Sequence, residues 1–131
     1  MVRRSTFRLA ACLAAAALAA VPASAQAAYR AFRSPTGKLG CAFYSDPQTP
    51  RTVRCEWRGS NDVAFTLHER GRTRPIRISD TVMDPKAKVL AYGRSTSFGK
   101  LRCTSRRTGI TCRSLCSWHG FMVSVEKRWT F

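Results

Sequence analysis

The chain has 131 residues, with 23 Lys and Arg against seven Asp and Glu, a formal net charge of +16, and six cysteines. That length leaves room for one domain and little else. Seven acidic residues without clustering exclude a calcium cage and the paired carboxylates of a glycosidase, whereas the basic excess draws the protein toward anionic polymers.

In chain order, the first element is a secretory signal over residues 1–25. Arg3, Arg4 and Arg8 form a positive head, residues 9–21 an apolar run, and Ala23-Ser24-Ala25 a small-x-small cleavage pattern, with Ala25-Gln26-Ala27 offering a second cut. The run is shorter than the roughly 20 residues that a spanning helix needs, so no transmembrane segment is expected in the mature chain. Leu9-Ala10-Ala11-Cys12 spells a lipoprotein box, but Cys12 lies inside the apolar run rather than after it. Arg3-Arg4 hints at twin-arginine export, with Phe7 one place late for that pattern. The expected location is secreted or extracytoplasmic. Cleavage removes three of the 23 basic residues and none of the seven acidic ones, leaving a net charge near +13.

Residues 26–31 read as a short loose tail and residues 32–131 as a single β-rich domain. Apolar residues recur at period two: Leu39, Cys41 and Phe43; Val53, Cys55 and Trp57; Phe65 and Leu67; Ile76 and Ile78; Val89 and Ala91; Leu101 and Cys103; Ile110 and Cys112; Phe121, Val123 and Val125. That period marks strands with one buried face. Turn formers separate the runs, among them Ser34-Pro35-Thr36-Gly37, Arg58-Gly59-Ser60-Asn61-Asp62, Asp84-Pro85 and Thr108-Gly109. A helical turn over residues 81–89 is limited by Pro85. The expected fold is all-β, a small antiparallel sandwich or partly open barrel with two disulfide-clasped hairpins.

Those clasps follow from parity. With Arg107 and Thr108 as a two-residue loop, Ser105 faces Ile110 and Cys103 faces Cys112, on a non-hydrogen-bonded pair within disulfide reach. A bend around Asp46-Pro47-Gln48-Thr49-Pro50 likewise sets Phe43 against Val53 and Cys41 against Cys55. Outside the cytoplasm such cysteines pair. Cys112-x3-Cys116 with His119, and Cys103 as a fourth ligand, is the competing zinc reading; oxidation is favoured, and no metal or cofactor is expected. Cys116 is left as an unpaired thiol, so the chain is expected as a monomer or a Cys116-linked dimer.

Several signatures fall in order along the mature chain: Phe32-Arg33-Ser34-Pro35-Thr36-Gly37-Lys38-Leu39-Gly40-Cys41, Val53-Arg54-Cys55-Glu56, Ser79-Asp80-Thr81-Val82, Leu90-Ala91-Tyr92-Gly93, Gly99-Lys100-Leu101-Arg102-Cys103, Gly109-Ile110-Thr111-Cys112 and His119-Gly120-Phe121. Together they resemble an uncharacterised family of small secreted bacterial domains, common in actinobacteria, with an F-x-S-P-S-G-N-I-x-C opening, an inner D-T and Y-G, a G-V-T-C and a closing G-H-G-F. The resemblance covers residues 32–131 and implies export, paired cysteines and a small β-rich fold, but no activity. The chain departs from the family in lacking a further middle cysteine pair, in the added Cys116, and at Trp118, which replaces the Gly before His-Gly-Phe.

Three constellations are candidates for chemistry. His119, with Ser79, Asp80, Thr81 or Ser117, has the group types of a hydrolase, although no nucleophile elbow is present and a backbone-bonded turn histidine explains it more simply. Asp80-Thr81 suits a sugar hydroxyl or a cation, or else caps a turn. Arg102, Arg106, Arg107 and Arg113 around the second hairpin, with Arg70, Arg72, Arg74 and Arg77 in the middle of the chain and Tyr92 and Trp118 nearby, suit anionic glycans or phosphates; a solvated hairpin tip is the plainer alternative. The expected function is a non-enzymatic module for an anionic envelope component or a protein partner. The speculative binding set is Asp80, Tyr92, Arg106, Arg107, Trp118 and His119. An extracellular hydrolase using His119 and a structural protein joined through Cys116 are the alternatives. Nucleic acid is not an expected partner, for want of any recognised motif.

Overall fold

Alternating apolar and polar residues pair into two facing sheets in the computed structural model, which describes Cys12 and residues 26–131. The expected export signal, Cys12 apart, lies outside the described residues. The strands are β1 (Ala28–Arg33), β2 (Leu39–Ser45), β3 (Thr52–Trp57), β4 (Val63–His68), β5 (Arg74–Arg77), β6 (Lys88–Val89), β7 (Ser95–Phe98), β8 (Leu101–Arg106), β9 (Gly109–Ser114), β10 (Gly120–Val123) and β11 (Arg128–Thr130). The first sheet has the order β5-β4-β3-β2-β1-β6 and the second β11-β10-β9-β8-β7, so the sandwich is open rather than a closed barrel. Pairing is antiparallel except at β1 and β6, which run parallel with Phe32 beside Lys88. No described helix is long and apolar enough to cross a membrane.

Both hairpins have the register that parity requires. Cys41 lies opposite Cys55 with Phe43 opposite Val53, and Cys103 lies opposite Cys112 with Ser105 opposite Ile110. Cα atoms of each cysteine pair are 4.1 Å apart, the close spacing of a non-hydrogen-bonded pair, and both pairs are disulfides. The two bridges meet in the middle of the core, where Cys55 Sγ lies 3.8 Å from Cys112 Sγ. Phe43, Val53 and Leu67 of the first sheet interleave with Leu101, Ile110, Phe121 and Val123 of the second, all without solvent exposure. Phe65 reaches across to Phe121 with ring centroids 5.7 Å apart.

Gly109, after the two-residue loop, has φ +142°. A Cβ there would collide with the Val123 carbonyl oxygen, so only glycine lets β9 begin so close to β10.

Three expectations are corrected. Residues 28–31 are not a loose tail: they extend β1 alongside β2, from Ala28 opposite Ser45 onward, because β2 offers its backbone groups to that whole length. β7 and β11 were not anticipated, since both are short and too polar to carry a period-two signal. Cys116 is not unpaired in the full chain; it is disulfide-bonded to Cys12. The expectation of a free thiol treated residue 12 as lost with the signal, whereas the full chain supplies it as a partner.

The longest connection sets the character of the first sheet. It leaves β5 at one edge and reaches β6 at the other, so residues 78–87 cross the outer face as a strap. Arg54 and Glu56 point outward from β3 yet are almost fully buried beneath it. Glu56 accepts from the Thr81 hydroxyl at 2.9 Å and from the Val82 N–H at 2.7 Å, and pairs with Arg54 at 3.0 Å. Arg54 also donates to the Asp80 carboxylate at 2.9 Å and the Asp80 carbonyl at 2.8 Å. Gly40 completes the seat, since a Cβ there would come within 2.9 Å of the Met83 Cα.

Candidate anion-binding surface

Among the described residues no strap crosses the outer face of the second sheet. Leu101, Cys103 and Ser105 point inward from β8, so Arg102, Thr104 and Arg106 point outward; on β9, Thr111 and Arg113 do the same. Register then sets Arg102 directly opposite Arg113, Thr104 opposite Thr111, and Arg106 opposite Gly109. Directly opposed side chains start from Cβ atoms about 4.5–5.5 Å apart, where like charges destabilise the pair. These residues and Leu115 line a shallow depression of about 400 Å³. The three arginines are exposed.

None of the three forms an ion pair among the described residues. The three ion pairs among the described residues, Arg51–Glu69, Arg54–Glu56 and Arg54–Asp80, all belong to the first sheet and its connections. Two further acids are spent in turns. Asp46 accepts the N–H groups of Gln48 and Thr49, which hold its carboxyl below the usual value, and Asp84 accepts the Lys86 N–H. The Arg113 guanidinium instead lies 5.6 Å from the centre of the Phe131 ring. Phe131 and Trp129 leave large apolar surfaces exposed toward the β11 edge. Guanidinium groups, hydroxyls and aromatic edges on one open face suit an anionic polymer with hydroxyl or ring faces of its own.

At the hairpin tip the charge turns the corner. Arg107 lies 5.1 Å from the Tyr92 ring centre. Tyr92, Arg106, Arg107 and Lys38 share a smaller depression of about 150 Å³, with Glu126 as the one carboxylate on its lining. The structure therefore brings together Tyr92, Arg106 and Arg107 of the expected set, beside Arg102 and Arg113 of the same hairpin.

The remaining members are elsewhere. Asp80 belongs to the strap and is engaged by Arg54, so it anchors the chain over the first sheet. Thr81 turns its hydroxyl to Glu56. Trp118 and His119 lie in the β9–β10 turn of the second sheet. Trp118 is exposed, with φ +64°, a region that favours glycine. His119 Nδ1 faces the Phe131 carbonyl at 3.2 Å, and Ser117 donates to the Gly71 carbonyl at 2.7 Å, so neither is placed with Asp80. The sulfurs of the zinc reading are taken up in disulfides with Cys12 and between Cys103 and Cys112. Arg74 and Arg77 line the β5 edge, where charge discourages edge-to-edge pairing.

Sequence reasoning passed over Arg30, Lys88 and Arg94, which line one groove. A signal was present for the first: Arg30 shares the inward parity of Phe32, an unusual direction for a cation. Lys88 and Arg94 had none, because the Lys88 strand is too short to reveal a face and Arg94 lies in the connection that follows it.

A scan of family models, a search of curated proteins and a search of solved structures each return no match to this chain.

Proposed function

We propose that the protein is an extracytoplasmic, non-enzymatic binding module that holds an anionic envelope polymer against the outer face of its second sheet. One observation carries the reading: Arg102 and Arg113 are directly opposed like charges on an exposed face, with Arg106 beside them and no carboxylate paired to any of the three among the described residues. A bridging phosphate or carboxylate turns that repulsion into two charge-assisted contacts. Two fully buried disulfides suit an oxidising compartment, which supports a location outside the cytoplasm.

The test is co-sedimentation of purified protein with poly(glycerol phosphate)-bearing cell walls over a salt series. Binding is expected to fall steeply as screening shortens the reach of the arginines. Arg102→Gln with Arg113→Gln is expected to weaken it at least about tenfold, the loss of one charged hydrogen bond or more. Binding indifferent to salt, or unchanged in that double variant, refutes the reading.

A further inference from the structure

We propose a second, separate site for a small amphiphilic anion, an anionic head on a short apolar chain, in the groove where β6 and β7 leave the sandwich open. The two sheets end there without sealing the core, and Phe32 and Leu90, only 5% and 8% exposed, form an apolar floor. Val89 adds an exposed apolar wall. Arg30, Lys88 and Arg94 stand around this floor with Thr96, lining a groove of about 330 Å³; the Ser95 hydroxyl at its rim is taken up by Thr104 at 2.7 Å. That volume lies within the roughly 300–1,000 Å³ range of small-molecule sites, with the same mix of apolar lining and few polar groups.

Arg30 is already positioned. Its guanidinium lies 5.1 Å from the Phe43 ring centre. Its Nη2 donates to Thr96 Oγ1 at 3.3 Å and to the Ser97 carbonyl, so a β1 side chain is fixed to β7 across the groove. Nε and Nη1 make no hydrogen bond among the described residues, which leaves their donors for a ligand. Lys88 and Arg94 take part in none of the three ion pairs among the described residues, and no carboxylate lines the groove. A single rim charge would be enough to discourage edge pairing. Three cations converging on an apolar floor repel one another until an anion joins them, and the floor favours one that brings hydrocarbon with it. The small volume of the groove separates this ligand from the polymer proposed for the outer face.

Titration calorimetry of the full chain with hexyl phosphate tests the site, alongside inorganic phosphate and hexanol. Saturable one-to-one binding of hexyl phosphate is expected, at least about tenfold tighter than inorganic phosphate, since several methylenes leave water on the apolar floor. Lys88→Gln with Arg94→Gln, both exposed in the fold, is expected to weaken it at least about tenfold. Arg102→Gln with Arg113→Gln is expected to leave it unchanged, which separates this site from the outer face. Equal affinity for inorganic phosphate, undiminished binding in the Lys88/Arg94 variant, or binding to phosphatidylglycerol vesicles without binding to free hexyl phosphate overturns the proposal.

Discussion

Removing Glu56 is expected to unseat the strap. In the folded chain its side chain is 3% exposed, and its two oxygens hold the Thr81 hydroxyl, the Val82 N–H and the Arg54 guanidinium at 2.7–3.0 Å. Glu56→Ala deletes both strap contacts and leaves Arg54, itself only 10% exposed in its side chain, with Asp80 alone. Hydrogen bonds to a charged group are worth about 1.5–3 kcal/mol each, and breaking one side of a buried pair costs about 3–5 kcal/mol, so a loss of about 3–5 kcal/mol is expected. A domain of this size is stable by only about 5–15 kcal/mol. At about 4 °C or more per kcal/mol, Tm should fall by at least about 12 °C. Urea denaturation followed by tryptophan fluorescence measures the free energy, and amide exchange at Val82 locates the damage. Arg54→Met combined with Glu56→Leu should cost less than Glu56→Ala alone, because no charge is then left buried. A loss under about 1 kcal/mol, or unchanged protection of the Val82 amide, refutes the anchoring argument.

Other expectations concern the hairpins and the core. Replacing Cys41 and Cys55 together by Ala should cost about 3 kcal/mol, and replacing Cys103 with Cys112 slightly less, because the sequence separations they close are 14 and 9 residues; chemical denaturation of the two variants gives the order. Gly109→Ala should lose at least about 2 kcal/mol in the same assay, through its positive φ and the blocked approach to Val123. Ser105→Ala should gain about 1 kcal/mol, since that buried hydroxyl has no hydrogen-bond partner among the described residues; a destabilised variant contradicts this. Burial pushes the Tyr44 phenol above its usual 10.0, with the nearby Arg54 opposing and Asp80 adding to the rise. The folded state thus holds this proton more tightly than the unfolded chain, so the contribution is full below pH 10.0 and disappears as pH rises through the folded value. A Tyr44→Phe variant should show a shallower alkaline decline in stability than the parent, and equal slopes refute the burial effect.

How much was legible depended on how local the cause was. Cys41 with Cys55 and Cys103 with Cys112 could be paired from the chain because side-chain direction alternates strictly and a tight turn sets register. The inward faces of β2, β3, β8 and β9 followed from the same rule, and with them the outward direction of Arg102, Arg106 and Arg113. Nothing local revealed that Glu56 would be buried, because the residues that cover it come from a strap 25 and 26 positions further on. Long connections cost little more entropy than short ones and so leave the destination open. Packing of one sheet on the other decided the rest: the contact between the two disulfides, the separation of Asp80 from His119, and the meeting of Arg30, Lys88 and Arg94 at an unsealed edge. Alternation along a strand says which way a side chain points, whereas only the stacking of whole sheets says what it meets there.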